Sequence, residues 1–158
     1  MSGPRAAVLT VSDSSAAGSR PDLSGPAVAQ ALQGKFQIVK TEIVSDDQQA
    51  ISVALRRLAG EADLVVTTGG TGIAVRDVTP EATRAVCSRL VDGIPERMRA
   101  EGLKQTPFAP LSRGLCGVLG QSIILNLPGN PKGAVDSLNA VLAVLPHAID
   151  LLHGKTGH

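Results

Sequence analysis

The stretch Leu64-Val65-Val66-Thr67-Thr68-Gly69-Gly70-Thr71-Gly72 joins a short apolar run to a cluster of glycines. An uncharged run of this length is typical of a strand that is buried on both faces of a sheet, and we predict a strand over 64–67. Glycines permit positive φ and close backbone approach, so successive N–H groups there can converge on an anion. A tight turn after a strand also favours glycine, so this stretch alone leaves a binding loop and a plain turn open. It lacks the Gly-Lys-Ser/Thr ending of a Walker loop.

On both sides of this run, apolar and amphipathic stretches alternate along the chain. We predict further strands over 6–11, 36–44, 115–119 and 122–127, the last two joined by a hairpin at Gly120-Gln121. We predict helices over 24–33 capped by Ser24, after Asp46-Asp47, over 80–90 capped by Thr79, around 95–103 and from 131 onward. Strands separated by helices imply right-handed crossovers, so the predicted fold class is α/β with a mostly parallel sheet.

Length and composition exclude several classes of protein. The 158 residues predict a single domain over 1–158. Two Phe without Trp or Tyr, and a net charge of +1, argue against a nucleic-acid-binding surface. We expect no membrane span and no signal peptide, and therefore a cytoplasmic protein. Cys87 and Cys116 form no Cys-x-x-Cys pair, which predicts small buried residues in a reducing compartment.

The last helical segment carries apolar residues on two of its sides. One stripe comprises Val135, Leu138, Leu142, Leu145, Ile149 and Leu152, and the other comprises Ala134, Val141, Val144, Ala148 and Leu151. Two stripes indicate burial by the sheet and by another subunit, with a core helix in a monomer as the alternative. Pro146 cannot donate to residue 142, so it must kink or restart the helix.

Polar stretches of small residues follow three of the predicted strands, at 12–19, 69–72 and 128–133. Because ligands of parallel α/β sheets bind outside the carboxyl ends of the strands, we predict a site where these stretches meet. Asp13 follows the first strand and is either a turn residue or part of the site. Asp46 and Asp47 follow the second strand. One of them should cap the next helix, which leaves the other to face the site.

Asp77 lies five positions after Gly72, next to Arg76. A carboxylate beside bound phosphates is repulsive unless a metal intervenes, so Asp77 is a candidate Mg²⁺ ligand. The alternative is a surface pair between Asp77 and Arg76 or another base.

Lys132 falls in the first turn of the last helix, after Asn130-Pro131. The helix dipole disfavours a cation there but favours an anion, so a bound phosphate would account for this lysine. The alternative is that Lys132 points into solvent. Ser112-Arg113 offers a second hydroxyl and cation.

Histidine and cysteine are absent from all these stretches, since His147, His153 and His158 lie in the last dozen residues. A Ser-His-Asp triad and a histidine-built zinc site are therefore disfavoured. The remaining carboxylates, hydroxyls, glycines and cations are typical of metal-assisted phosphoryl or nucleotidyl transfer.

Several motifs, in order, resemble the molybdopterin-binding family of molybdenum cofactor biosynthesis, of the Mog/MoaB type. They are 10–14, 18–26, 68–72, 76–83, 106–109, 111–113 and 126–132, and the resemblance covers about residues 5–153. It implies a three-layer α/β/α fold, usually a homotrimer, and the adenylylation of molybdopterin by Mg²⁺ and ATP with release of pyrophosphate. It also implies hand-over of the product to the molybdenum-inserting enzyme. A rival expectation is a non-catalytic molybdopterin-binding or scaffold protein of the same fold.

By position, the resemblance makes Asp77 the essential acid near the metal and phosphates, and Asp46 the second functional carboxylate. Ser45 stands where many members have Pro, a small departure. The substrate- and nucleotide-binding positions implied by the matching motifs are Ser12, Asp13, Ser14, Gly69, Gly70, Thr71, Gly72, Ser112, Arg113, Pro128, Gly129, Asn130 and Lys132. Carboxylates near phosphate favour the enzyme over the pure binder, since an anion binder gains nothing from them.

Two flat heterocycles would then be held almost without aromatic residues. We expect recognition by loop backbone and phosphate contacts rather than by ring stacking. Phe108 is the only aromatic near a motif, with a place in the core as the alternative.

Overall fold

The computed structural model describes residues 3–155, which form a sheet flanked by helices. The strands are β1 (Arg5–Val11), β2 (Gln37–Val44), β3 (Leu64–Thr68), β4 (Arg89–Leu90), β5 (Cys116–Leu119) and β6 (Ser122–Leu127). The helices are α1 (Asp13–Ala16), α2 (Ser24–Leu32), α3 (Gln48–Ala59), α4 (Thr79–Val86), α5 (Gly93–Gly102), α6 (Pro131–Val141) and α7 (Leu145–Leu152). Two 3₁₀ turns cover Ala109–Leu111 and Leu142–Val144.

The six strands form one sheet in the order β2-β1-β3-β6-β5-β4. The first four are parallel, while β5 and β4 extend the sheet in antiparallel fashion. The predicted α/β class is confirmed. The predicted hairpin is also present, with Gly120 at a φ of 61° in the turn between β5 and β6.

Helices cover both faces of the sheet, which gives the three layers that the resemblance implied. Successive residues of β1 point to opposite faces: Ala6 and Val8 pack with α2, α5, α6 and α7, whereas Ala7 and Leu9 pack with α3 and α4. Each face thus has its own apolar core. The central parallel strands β1, β3 and β6 are buried between the two cores, as predicted for β3, whereas the edge strand β2 has no buried residue.

The last helical segment is interrupted by the 3₁₀ turn Leu142–Val144, and Pro146 lies in the first turn of α7. The break follows from the missing N–H of the proline. The buried residues draw on both predicted stripes: Ala134, Leu138, Val141, Leu145 and Ile149. By length and composition the stretch Pro131–Leu152, with a mean hydropathy of 1.4, could cross a membrane, although no such segment was expected. Its buried residues pack on the sheet.

Two predicted helix caps are wrong. Ser24 and Thr79 are the first helical residues rather than the caps, because their hydroxyls bond elsewhere. The Ser24 hydroxyl lies 2.8 Å from that of Thr68, and the Gly25 N–H donates to Asp22 Oδ1 at 3.0 Å instead. The short elements α1 and β4 were not predicted, since each is too brief to show a periodic pattern.

The two cysteines are unpaired thiols, Cys116 buried and Cys87 half-buried. Burial raises the pKa of Cys87 to about 11 and that of Cys116 to about 12, so both are protonated at neutral pH.

Candidate active site

The carboxyl ends of four parallel strands meet at one edge of the sheet, and the glycine loop (residues 69–72) lies at its centre. The N–H of Gly69 donates to the carbonyl of Leu127 at 3.0 Å. Gly69 has a φ of 94°, and a Cβ on it would lie 2.3 Å from the carbonyl oxygen of Val11. A Cβ on Gly129 would lie 3.2 Å from the Cα of Gly69. The loop is therefore wedged between the ends of β1 and β6, as the predicted convergence requires.

Every carbonyl of the glycine loop accepts a hydrogen bond from the protein. Thr79 donates to the first two through its hydroxyl, at 3.0 Å, and its N–H, at 3.1 Å. Arg113 donates to the last two through its N–H and its Nε, both at 2.8 Å. Because C=O and N–H point in opposite directions in a trans peptide, the N–H groups of Gly70, Thr71 and Gly72 face away from these donors. The tight turn is therefore present at Gly69, while anion binding by the N–H groups beyond it stays a prediction.

A cavity of about 770 Å³ opens between the glycine loop, α5 with the 3₁₀ turn that follows it, and the start of α6. Nine predicted site residues line it: Gly70, Thr71, Gly72, Asp77, Ser112, Pro128, Gly129, Asn130 and Lys132. Six others lie outside its wall: Ser12, Asp13, Ser14, Asp46, Gly69 and Arg113. The prediction from strand ends therefore places most, but not all, of the candidate residues in one site.

Asp77 lies at the inner edge of the cavity, against the glycine loop. A Cβ on Gly72 would approach Asp77 Oδ2 to 2.8 Å. The same oxygen accepts from the N–H of Ala74 at 3.0 Å, while the N–H of Asp77 donates to the carbonyl of Ala74 at 2.9 Å. The first bond orients the carboxylate, and the second closes the backbone turn between Ala74 and Asp77. The alternative surface pair with Arg76 is not formed, because Arg76 bonds Asp13.

One of Asp46 and Asp47 caps the next helix and the other faces the glycine loop, as the sequence predicts. Asp47 caps α3 by accepting from the N–H of Ala50 at 2.8 Å. Asp46 faces the glycine loop, where a Cβ on Gly70 would lie 3.2 Å from Asp46 Oδ1. Desolvation, and the charges of Asp13 and Asp77, raise the pKa of Asp46. Asp46 and Asp77 thus flank the loop from two sides.

The two carboxylates are hard oxygen donors close to the backbone of the glycine loop, an arrangement that suits Mg²⁺. Over residues 3–155, no group of three or more His, Cys, Asp or Glu side chains is placed to hold a metal by itself. A cation bound by Asp77 and Asp46 would therefore take its remaining ligands from phosphate oxygens and water.

Asp13 acts on Asp46 rather than on the cavity. Its N–H donates to Asp46 Oδ2 at 2.9 Å, and its carboxylate forms two bonds with Arg76 at 2.8 and 2.9 Å. The hydrogen bonds from Arg76 hold the pKa of Asp13 below its ordinary value. Ser12 accepts from the N–H of Ser15 at 3.2 Å and lies 3.2 Å from the hydroxyl of Ser14. These three residues hold the turn after β1, and none of them lines the cavity.

Arg113 is committed to the protein rather than placed to hold a phosphate. Besides Gly72, its guanidinium donates to the carbonyl of Asp77 at 2.8 Å and to both carboxylate oxygens of Glu81, at 2.6 and 3.3 Å. One side chain thereby ties the glycine loop, the Asp77 segment and α4 together. Its geometry gives Arg113 a positioning role, where a binding role was expected.

Lys132 lines the cavity from the first turn of α6. Asn130 caps this helix, since its Oδ1 accepts from the N–H of Gly133 at 2.9 Å. The side chain of Lys132 is 74% exposed, and its Nζ lies 2.6 Å from Asp136 Oδ2. Asp136, one helical turn further along α6, therefore neutralises the charge of Lys132. The sequence predicts a bound anion in that role instead.

The outer wall of the cavity was missed by the sequence analysis. Met98, Arg99, Gly102 and Gln105 contribute to it from α5 and the turn beyond. Arg99 donates to the carbonyls of Ser112 and Gly114 at 3.3 and 3.2 Å. The helix was predicted, but nothing in its spacing shows which face meets a cavity. Phe108 also lines the cavity, and its exposure of 71% excludes the core alternative.

Comparison with known proteins identifies a matching family, similar sequences and similar structures. The family described as probable molybdopterin binding domain matches residues 7–147. A molybdopterin adenylyltransferase of Helicobacter pylori J99 is 43% identical over 156 residues, covering 94% of this chain and 87% of the relative. That of Escherichia coli K12 is 38% identical over 168 residues, covering 95% and 86%. The crystal structure of the molybdopterin biosynthesis enzyme MoaB from Thermus thermophilus matches with a TM-score of 0.90 at 50% identity, covering 96% of this chain and 98% of that chain.

Proposed function

The chain belongs to the family of probable molybdopterin binding domains, and on this premise we propose that it is a molybdopterin adenylyltransferase of molybdenum cofactor biosynthesis. Relatives of that name align over nearly the whole chain. The observation that carries the proposal is the cavity edge where the N–H groups of the glycine loop lie between Asp46 and Asp77. That edge combines a phosphate cradle with the carboxylates that nucleotidyl transfer requires.

In the proposed reaction, an oxygen of the molybdopterin phosphate attacks the α-phosphorus of ATP. A new phosphorus–oxygen bond forms, the bond to the β-phosphate bridging oxygen breaks, and pyrophosphate leaves with that electron pair. The attacking phosphate is already ionised near pH 7, so no side chain needs to remove a proton. The positions of His147 in α7 and His153 just after it, away from the glycine loop, are consistent with this chemistry.

The residues of the chain act by positioning and by charge. The N–H groups of Gly70, Thr71 and Gly72 bind phosphate oxygens at the cavity edge, and the Asn130 end of α6 offers a second site for negative charge. Asp77 and Asp46 would hold Mg²⁺, which would neutralise part of the phosphate charge. Arg113 and Asp13 keep these groups in place without contacting the substrates.

We further propose a homotrimer in the cytoplasm that passes its product to the molybdenum-inserting enzyme. Support for assembly comes from apolar side chains that the chain leaves exposed on its last helices: Val144 is 52% and Leu151 41% exposed. Isolated exposed apolar residues are ordinary, but these two continue the second stripe of a helical segment. Sedimentation equilibrium tests the trimer directly.

The activity is tested by incubating the purified protein with molybdopterin, ATP and MgCl₂. Adenylylated molybdopterin is followed by chromatography and mass spectrometry, and pyrophosphate by a coupled assay. We expect both products in equal amounts, and neither when EDTA replaces MgCl₂. Molybdopterin binding without either product would instead assign the chain as a non-catalytic binding protein.

A further inference from the structure

Phe108 is an aromatic side chain held at the cavity wall with most of its surface in solvent. It is 71% exposed, whereas Phe36, the other aromatic residue of the chain, is 5% exposed in the core. Leu111, one turn along, is 51% exposed and lines the same cavity. The cavity therefore presents bare apolar surface on the wall built by the segment after α5.

The backbone that carries Phe108 is fixed at both ends. The N–H of Phe108 donates to the hydroxyl of Thr106 at 3.2 Å, and its carbonyl accepts from the N–H of Leu111 at 2.9 Å. The 3₁₀ turn that follows includes Pro110, whose ring restricts φ. A side chain on such a support is presented to the cavity with little backbone entropy to lose when a ligand arrives.

We propose that the ring of Phe108 is a stacking platform for one planar heterocycle of the substrates, either the adenine of ATP or the pterin. The inference rests on the proposed function, which requires a cavity that takes two ring-bearing substrates joined through phosphate. Phe108 has no donor or acceptor, so it recognises a flat face rather than a hydrogen-bond pattern. This proposal departs from our expectation that ring stacking plays almost no part.

The division of the cavity supports this assignment. The N–H groups of Gly70, Thr71 and Gly72 occupy one edge, where phosphates belong, and the heterocycles must extend from there along the walls. Phe108 is on the wall built by the segment after α5, together with Ala109 and Leu111. Stacking of a base on an aromatic residue stabilises binding, so removal of the ring raises the dissociation constant by about 5- to 100-fold.

The test compares the kinetics of Phe108→Ala, Phe108→Leu and Phe108→Tyr with those of the original protein. We expect Phe108→Ala to raise the KM of one substrate by about tenfold with kcat within about threefold, because the ring binds both ground and transition states. Phe108→Tyr should restore the KM, and Phe108→Leu should not. The substrate whose KM changes identifies the stacked ring. Leu103→Ala is the matched control, since Leu103 is 54% exposed but does not line the cavity.

A second measurement keeps the platform testable if no turnover is found. Titration calorimetry of ATP and of pterin-6-carboxylate, each with the original protein and with Phe108→Ala, reports stacking without any reaction. Weaker binding of one ligand to the variant would support the platform even if the proposed activity failed. Affinities and KM values within twofold for both ligands, or full rescue by Phe108→Leu, would overturn it.

Discussion

Asp13 and Asp46 exchange hydrogen bonds: the backbone N–H of each donates to the carboxylate of the other, both at 2.9 Å. The pair joins the turns after β1 and β2, which lie side by side in the sheet. Arg76 binds Asp13 with two further bonds and so adds the segment that leads to Asp77. The place of Asp46 beside the glycine loop therefore depends on a residue that lies outside the cavity wall.

Asp13→Ala removes both the acceptor for the Asp46 N–H and the partner of Arg76. We expect kcat/KM to fall about tenfold or more, because small displacements of a positioned group are costly in catalysis. Thermal unfolding should change little, since the carboxylate is solvent-exposed. Asp13→Asn retains an acceptor oxygen and should keep more of the activity. Equal activities of the two variants would show that the exchanged bonds do not matter.

We expect Asp46→Asn to change stability and turnover in opposite directions. Desolvation and nearby acids raise the pKa of Asp46, so the stability contributed by the protonated carboxyl is present below its unfolded-state pKa. That contribution is lost as the pH rises through the raised, folded-state pKa. At pH 7 the variant should be more stable than the original protein by a few tenths of a kcal/mol, a difference that disappears in acid. Turnover should nevertheless fall.

Urea unfolding of Asp46→Asn at pH 7 and pH 3.5, with turnover at pH 7, checks this expectation. The asparagine keeps an oxygen that accepts from the N–H of Asp13, so the local fold is preserved. Lower stability at pH 7 than in the original protein would contradict the electrostatic argument.

Asp77→Asn should abolish most of the turnover while the fold persists. Asparagine retains an oxygen for the N–H of Ala74 but loses the negative charge that we propose holds the cation. Loss of one such group typically lowers kcat by about 10²- to 10³-fold. Glu96→Gln is the control, an exposed acid in the first turn of α5 outside the cavity wall. Product formation by Asp77→Asn at the original rate would remove Asp77 from the mechanism.

The fold follows from local patterns where these are long or strongly marked. The uncharged runs at β1 and β3, and the glycine at the β5–β6 turn, placed the strands almost to the residue. The strand order and the brief β4 depend on long-range pairing that no local pattern encodes. The helix caps predicted at Ser24 and Thr79 were wrong because each hydroxyl has a distant partner. The Ser24 hydroxyl bonds that of Thr68, and the Thr79 hydroxyl donates to the Gly69 carbonyl.

The candidate site residues that follow strands could be predicted from the sequence. Asp77, the glycine loop and the start of α6 were found because parallel strands bring their ends together. The positioning roles of Asp13 and Arg113 could not be predicted, since a sequence shows that a residue is charged but not which residue it pairs with. Glu81 pairs with Arg113 from 32 positions away. The exposure of Phe108 was equally hidden, because an isolated aromatic residue has no periodicity.

Arg113→Lys tests the positioning role directly. A lysine cannot reproduce the guanidinium fork that reaches two carbonyls and the Glu81 carboxylate. We expect a loss of about 1–2 kcal/mol in the free energy of unfolding and a fall in kcat. The KM values should change less if Arg113 does not contact substrate. Arg97→Lys is the control, because Arg97 is 61% exposed and pairs with Glu101 on its own helix.

Gly69→Ala and Gly72→Ala distinguish the structural from the functional part of the glycine loop. At Gly69 the φ of 94° disfavours any side chain, and a Cβ would clash with the Val11 carbonyl at 2.3 Å. We expect this variant to lose at least about 2 kcal/mol in the free energy of unfolding, or to fail to fold.

At Gly72 the backbone permits alanine, and the approaching atom is Asp77 Oδ2 at 2.8 Å, the end of a side chain that can shift. Gly72→Ala should therefore keep its unfolding temperature within a few degrees of the original protein. Its turnover should fall sharply, because the displaced carboxylate is the one that we propose holds the cation. Thermal unfolding and product formation, measured on both variants, test the division. If Gly72→Ala retains full activity, the contact between the glycine loop and Asp77 does not set the geometry of the reaction.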